Sequence, residues 1–193
     1  MALIFSNEYL SVEQMKGNAL YIWTKLKEAG WTENAIAGVL GNMQSESTIN
    51  PGLFENRDYG NMDGGYGLVQ WTPASKYFNW AGTTPANDNI DKQIDRILYE
   101  VEQNIQWLNS QDPKGRTFKQ FTQSTDSPYD LAMAFITAYE RPANPNQPIR
   151  GQQALYWFNE LSGQSWEGGG PWEPGEWDIE YIMFSRRFLP RRR

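Results

Sequence analysis

The chain has 193 residues, which fits one domain with a short appendage, and its formal net charge is -6. The acidic balance argues against binding to duplex nucleic acid, because such affinity depends on cationic contacts to phosphates. The absence of cysteine and histidine excludes disulfides, thiol nucleophiles, Ser-His-Asp triads and histidine metal motifs, so we expect catalysis by other side chains without a cofactor.

Two helices are predicted in the first quarter of the chain. Ser11 and Gln14 have the spacing of a capping box, and the apolar residues that follow extend this helix to Gly30. Thr32 is the expected N-cap of the second helix, whose apolar face reaches Met43.

After the second helix the chain becomes polar and glycine-rich, and apolar residues return between Tyr66 and Trp71. We interpret this return as a short strand or small hairpin. The apolar spacing then predicts four further helices: over residues 89–109, near Phe118 and Phe121, from Ser127-Pro128 to a point before Pro142, and over residues 150–161. The sequence therefore predicts a mainly helical α+β body with one small β element.

The composition shifts after Gly163. A Gly/Pro/Trp segment, SWEGGGPWEPGEW, is followed by the basic end SRRFLPRRR. We predict one domain over residues 1–163, with a linker and a basic tail over residues 164–193. The N-terminal residues lack the basic region and cleavage site of a signal peptide, and no window is long and apolar enough for a membrane-spanning helix.

A single carboxylate in the segment QSESTINPG, residues 44–52, draws attention. Glu46 follows Met43 by three residues and Val39 by seven, so the three share one helix face. A carboxyl on such a face is expected to be partly desolvated, and desolvation raises the pKa of a carboxyl. A carboxylic acid that is protonated near neutral pH can donate a proton to a leaving oxygen, as glycoside cleavage requires. The alternative is that Glu46 is a solvent-exposed residue at the end of the helix with no catalytic role.

Three segments resemble, in order, the signature of the lysozyme-like superfamily. They are SESTINP at residues 45–51, GYGLVQWTP at residues 65–73 and ITAYERPANP at residues 136–145. The detailed likeness is to the tail-tip lysozymes of small short-tailed phages, and it covers about residues 7 to 163. This resemblance implies a lysozyme-like α+β fold, mainly helical with one small β-hairpin, and an activity on peptidoglycan.

The resemblance also implies roles for individual residues. Glu46 matches the catalytic acid, Gln70 the glutamine that lines the cleft beside it, and Tyr139 the tyrosine that faces the acid. An amide and a phenol can bind an N-acetyl group or fix the rotamer of the acid.

Two neighbours of these motif residues are also candidates for substrate contact. We expect Trp71 to stack on a sugar or to form a wall of the cleft, with core packing as the alternative. Glu140 is expected to pair with Arg141 and to fix this helix end against the cleft.

Most glycosidases use a second carboxylate across the sugar. The loop after the second helix offers Glu55, Asp58 and Asp63. We favour Asp58, because the Asp-Gly-Gly sequence explains Asp63 as a turn residue. Lytic transglycosylases do without the second group, because an acetamide and a hydroxyl of the substrate close an anhydro ring, so the sequence leaves both routes open.

The predicted function is cleavage of the β-1,4 bond between N-acetylmuramic acid and N-acetylglucosamine in glycan strands. The resemblance implies a virion tail that opens the host wall locally during genome entry, with other tail proteins as partners. Two alternatives remain: a lytic transglycosylase that forms 1,6-anhydro products, and a non-catalytic glycan-binding or structural tail protein.

Overall fold

The computed structural model describes residues 2–166, and this part of the chain is mainly helical. Its α-helices are α1 Val12–Glu28, α2 Glu33–Ser47, α3 Ala74–Ala81, α4 Ile90–Gln103, α5 Phe118–Thr122, α6 Pro128–Phe135 and α7 Pro148–Leu161. Short 3₁₀ turns lie at Glu55–Arg57, Pro85–Asn87 and Asn109–Gln111. The predicted linker and basic tail lie outside the described residues, except for residues 164–166.

The predicted N-caps of α1, α2 and α6 are confirmed. Ser11 and Gln14 form a complete capping box at α1, and the Thr32 hydroxyl accepts from the Ala35 amide at α2. Ser127 caps α6, with Pro128 as its first residue. These side chains satisfy amide donors that have no partner within the helix.

The prediction that α4 reaches residue 109 is wrong. The helix ends at Gln103, because Asn104 adopts a left-handed conformation with φ 47°. The Asn104 side chain then accepts from the Phe118 amide, which ties this helix end to α5. Ile105 and Leu108 therefore follow the helix, and both are exposed.

Helix α2 packs against both α6 and α7, which also contact each other. Its buried residues include Ile36, Ala37, Val39, Leu40 and Met43. The close packing depends on glycine: a Cβ at Gly41 would lie 2.4 Å from the carbonyl oxygen of Arg150 in α7. This contact with α7 lies before the last turn of α2, which carries Glu46.

The predicted β-hairpin is not confirmed. Residues 2–166 contain only two isolated antiparallel bridges, Phe54 with Tyr66 and Tyr66 with Trp71. Gly67 and Gln70 have φ of +78° and +48°, so the chain turns too sharply for a ladder to extend. A side-chain bond holds the segment instead, since the Tyr66 hydroxyl donates to Asp88 at 2.8 Å.

Helix α6 continues directly into a π-helical turn, Ile136–Glu140. The turn closes with the Arg141 amide donating to the Ile136 carbonyl at 2.7 Å, and Arg141 has φ 52°. A π turn inserts an extra residue into the helix and so changes the direction of the side chains that follow. Tyr139 and Glu140 lie on this turn.

The N-terminal segment, residues 2–11, runs over α1 and the end of α2. Asn18 anchors it by exchanging two hydrogen bonds with the backbone of Ile4. At the other end of the described chain, the Trp166 amide donates to Thr24 at 2.8 Å, so residues beyond Gly163 still contact α1. Within residues 2–166, no helix is both long and apolar enough to cross a membrane.

Candidate active site

A cleft of about 400 Å³ opens at the end of α2. The loop after α2, the segment that replaces the predicted hairpin, the end of the π turn and the N-terminal segment all contribute to its walls. The polar or aromatic wall residues are Tyr9, Glu46, Phe54, Glu55, Asn56, Gln70, Thr72 and Glu140. The three segments that carried the resemblance therefore converge on one cleft.

Glu46 lies on the last turn of α2 and forms an ion pair with Arg150 of α7. Its Oε1 is 2.5 Å from Nη1 of Arg150, and the two side chains are 20% and 7% exposed. Arg150 also donates to Asn42 at 3.1 Å and to Gln147 at 2.8 Å. The predicted partial burial of Glu46 is confirmed, and its cationic partner is a feature that the sequence analysis missed.

The polar neighbours of Glu46 fix the end of α2. Ser47 donates to the Leu68 carbonyl at 3.0 Å, and the Thr48 hydroxyl accepts from the Leu10 amide at 2.9 Å. Thr48 and Ile49 have φ of 54° and 52°. This conformation is costly for β-branched residues, and such strain is found mainly at functional sites. The hydroxyl groups next to Glu46 therefore fix the sharp end of α2 by bonding to neighbouring backbone groups.

Gln70 lies at the cleft wall, as predicted. Its amide nitrogen donates to the carbonyls of Leu53 at 3.1 Å and Gly67 at 3.0 Å. A Cβ at Gly65 would lie 2.7 Å from Oε1 of Gln70, so a larger residue there would displace the Gln70 side chain. Because both amide hydrogens are engaged, Gln70 can offer a ligand its oxygen as an acceptor.

Trp71 and Tyr139 do not line the cleft, which corrects their predicted contact with substrate. They are 3% and 1% exposed, and both donate to the carboxylate of Glu100, at 3.1 and 2.5 Å. Arg96 completes this buried site with a 2.8 Å ion pair to Glu100. Burial raises the pKa of Glu100, and burial beside Glu100 raises the pKa of Tyr139 well above its ordinary value.

Glu140 does line the cleft, but without the predicted ion pair. Arg141 instead donates to the carbonyls of Gln106 and Ala138. The Oε1 atom of Glu140 is buried and has no hydrogen-bond partner. Burial, followed by the charge of Glu46, raises the pKa of Glu140 well above its ordinary value, and Arg150 opposes this rise.

The loop acids occupy different positions from those predicted. Asp58 is exposed and Asp63 lies in a turn that Asn61 stabilises, and neither forms part of the cleft wall. Glu55 does, and its Oε2 accepts from the Gly65 amide at 2.9 Å. The Glu55 amide also donates to the Gly65 carbonyl at 2.8 Å, so backbone and side chain together hold Glu55 against this wall segment. Across residues 2–166, no three acidic side chains gather as a metal site would require.

The sequence profile of the phage tail lysozyme family matches residues 17–161. The chain belongs to this family. It is also 56% identical over 163 residues to morphogenesis protein 1 of Bacillus phage B103. That match covers 84% of this chain and 44% of the relative, so the chain spans less than half of the relative's length.

The N-terminal segment of this phage tail lysozyme lies outside the matched range but contributes to the cleft. Tyr9 is 56% exposed, and the guanidinium of Arg57 lies 5.6 Å from the centre of its ring. No motif in the sequence indicated Tyr9. Arg150 is the first residue of the segment RGQQA, which resembles the family, but the sequence did not show that Arg150 would pair with Glu46.

Proposed function

We propose that this phage tail lysozyme cleaves the β-1,4 bond between N-acetylmuramic acid and N-acetylglucosamine in peptidoglycan. It would act from a virion tail on the wall of the host. The observation that carries the proposal is the position of Glu46, a partly buried carboxyl at the wall of a cleft and in contact with one guanidinium. The glycan strand is the substrate, and no cofactor takes part.

In the first step, Glu46 donates its proton to the glycosidic oxygen while the bond from C1 to that oxygen breaks. The carboxylate that remains on Glu46 is stabilised by Arg150, 2.5 Å away. A water molecule then adds to C1 and returns one proton to Glu46, which restores the acid. Protons and bonds balance over the two steps.

Two further wall residues support this chemistry. Gln70 has a free acceptor oxygen, which suits the N–H of an N-acetyl group. Glu55 replaces Asp58 as the candidate second carboxylate, because it is the loop acid on the wall. Its charge would stabilise the oxocarbenium-like transition state or orient the water.

A lytic transglycosylase is the second candidate, and one contact favours it. The Gly65 amide already engages Oε2 of Glu55, which reduces the capacity of Glu55 to activate water. In that reaction the 6-hydroxyl of the muramic acid residue attacks C1 and gives its proton to Glu46. The product is a 1,6-anhydro ring.

Mass spectrometry of peptidoglycan digested by the purified protein tests the proposal. Fragments that end in reducing N-acetylmuramic acid are expected. If most fragments instead end in a 1,6-anhydro ring, the reaction is transglycosylation rather than hydrolysis, and Glu46 remains the acid. No release of fragments from walls of several chemotypes, with binding to those walls retained, would contradict enzymatic activity and favour a glycan-binding tail protein.

A further inference from the structure

An exposed tyrosine of the N-terminal segment lies on the wall of the cleft. Tyr9 is 56% exposed, whereas the next residue, Leu10, is buried in the hydrophobic core. Residues 2–166 contain two other exposed tyrosines, Tyr59 and Tyr99, and neither lines the cleft. Tyr9 is therefore the only exposed tyrosine in this part of the chain that a ligand in the cleft can contact.

The backbone on both sides of Tyr9 is held by hydrogen bonds to the end of α2 and the loop that follows it. The Glu8 carbonyl accepts from the Asn50 side chain at 2.6 Å, and the Leu10 amide donates to the Thr48 hydroxyl at 2.9 Å. These two bonds flank Tyr9 directly. A binding residue whose backbone is already fixed loses less conformational freedom when a ligand arrives.

A second set of contacts fixes the ring of Tyr9. The Asn7 side chain accepts from the Phe54 amide at 2.9 Å and donates to the Arg57 carbonyl at 2.9 Å. The guanidinium of Arg57 then lies over the Tyr9 ring, 5.6 Å from its centre, and pairs with Glu8 at 2.9 Å. Because Arg57 takes one face of the ring and more than half of Tyr9 stays exposed, the ring keeps accessible surface for a ligand.

The chemistry of this wall suits a sugar ring. A pyranose has C–H faces that pack against an aromatic ring, and its hydroxyl and acetamido edges need hydrogen bonds. The wall offers the polar side chains of Asn56, Gln70 and Thr72 together with the Tyr9 ring. Trp71, which the sequence favoured for stacking, is buried and cannot take this role.

We propose that Tyr9 forms a sugar-binding subsite of the cleft, in which its ring packs against one pyranose of the glycan strand. The N-terminal segment, which lies before the residues that match the family, thereby takes part in substrate binding. The inference rests on the proposed function for the identity of the strand. Binding at Tyr9 does not require cleavage, so the two can be tested separately.

Equilibrium binding of soluble, peptide-free glycan strands tests the proposal. Every protein in the series carries Glu46→Gln, so that the strands stay intact, and Tyr9→Ala, Tyr9→Phe or Tyr99→Ala is added. Tyr99 is the matched control, because it is exposed and has Arg96 at 5.6 Å from its ring centre but does not line the cleft. We expect Tyr9→Ala to weaken binding about tenfold, and the other two changes to stay within about threefold of Glu46→Gln alone.

Several outcomes would overturn the subsite. They are unchanged binding by Tyr9→Ala, an equal loss in Tyr99→Ala, and no binding by Glu46→Gln itself. An equal loss in Tyr9→Phe would assign the contact to the hydroxyl and contradict packing of the ring. A loss in Tyr9→Ala that appears only with fragments that keep their peptides would show that Tyr9 contacts the peptide instead.

Kinetics of the active protein provide a second measurement. Tyr9→Ala should raise KM and leave kcat within about threefold of the parental value, because the contact binds the strand without touching the reacting bond. A loss in kcat alone would show a disturbed site and contradict the subsite. If the parental protein cleaves no strand but its binding still depends on Tyr9, the proposed function fails and the subsite stands.

Discussion

At the scale of single residues, the site is defined by what each carboxyl contacts. Glu46 has a cation at 2.5 Å, whereas Oε1 of Glu140 has no donor and Glu100 has three donor side chains. The same functional group is thus held in three environments within one small protein. Their different surroundings assign Glu46 and Glu140 to the cleft and Glu100 to the core.

Arg150→Lys should separate the charge of Arg150 from its geometry. An ammonium can approach Glu46 but cannot also keep the contacts to Asn42 and Gln147, which need the planar guanidinium. We expect a loss of about 1–3 kcal/mol of unfolding free energy and at least a tenfold loss of wall turnover. Thermal melting and a turbidity assay on cell walls measure the two effects.

Arg57→Lys is the matched control for stability, because Arg57 pairs with Glu8 at the surface. Exposed pairs contribute about 0–1 kcal/mol, so this change should leave the melting temperature nearly unchanged. If Arg150→Lys has the melting temperature and the turnover of the parental protein, the planar guanidinium of Arg150 contributes to neither stability nor activity.

Sequence reasoning placed some site residues correctly for a physical reason. Glu46 continues an apolar helix face, and that regular spacing determines where its side chain lies. Tyr139 and Trp71 have no such constraint. They are separated along the chain from Glu100, so the sequence could not reveal the buried carboxylate that takes up their donor groups.

At the scale of elements, α2 and α7 determine the spacing between Glu46 and Arg150. The two helices approach closely at Gly41, where a Cβ would meet backbone atoms of Arg150 and Ala154 at 2.4 and 2.7 Å. Backbone atoms cannot move aside as a flexible side chain can. Any larger residue must therefore displace α7 and the guanidinium that it carries.

Gly41→Ala should destabilise the protein and lower its activity. Helix propensity alone predicts a gain of about 1 kcal/mol for this change, so a net loss must come from packing. Overpacking of a tight core costs about 1–3 kcal/mol, and we expect a net loss within that range in urea unfolding. A variant more stable than the parental protein would contradict the close approach of α2 and α7.

Helix existence was predictable and helix ends were less so. The caps at Ser11, Thr32 and Ser127 follow from local chemistry, and the structure confirms them. The early end of α4 depends on Asn104 bonding to the Phe118 amide, a tertiary contact. The π turn at residues 136–140 could not be predicted either, because apolar spacing does not distinguish an inserted residue from a regular helical turn.

At the scale of the whole molecule, the acidic chain contains buried carboxyls whose pKa values are raised. Burial is the main cause for Asp88, Glu100 and Glu140. A carboxyl with a raised folded-state pKa binds its proton more tightly in the folded protein than in the unfolded chain. Stability from such a group is therefore present at low pH and is lost as the pH rises through the folded-state pKa.

Glu140→Gln should therefore change how stability depends on pH. At about pH 5 the variant and the parental protein should melt at similar temperatures, because a neutral amide resembles a protonated carboxyl. As the pH rises to about 8, the parental protein should lose stability relative to the variant. Melting curves across this range measure the difference, and a difference that stays constant with pH would contradict the raised pKa of Glu140.

The central claim is that Glu46 is the acid that cleaves the glycan strand. Turnover of purified cell walls by Glu46→Gln tests it most directly, with Glu102→Gln as the exposed control and melting curves to confirm folding. The amide can still accept from Arg150 but has no acidic proton to donate, so a loss of about 10²–10⁴-fold is expected for the variant alone. Turnover by a folded Glu46→Gln within about threefold of the parental value, against that expected loss, would contradict the claim.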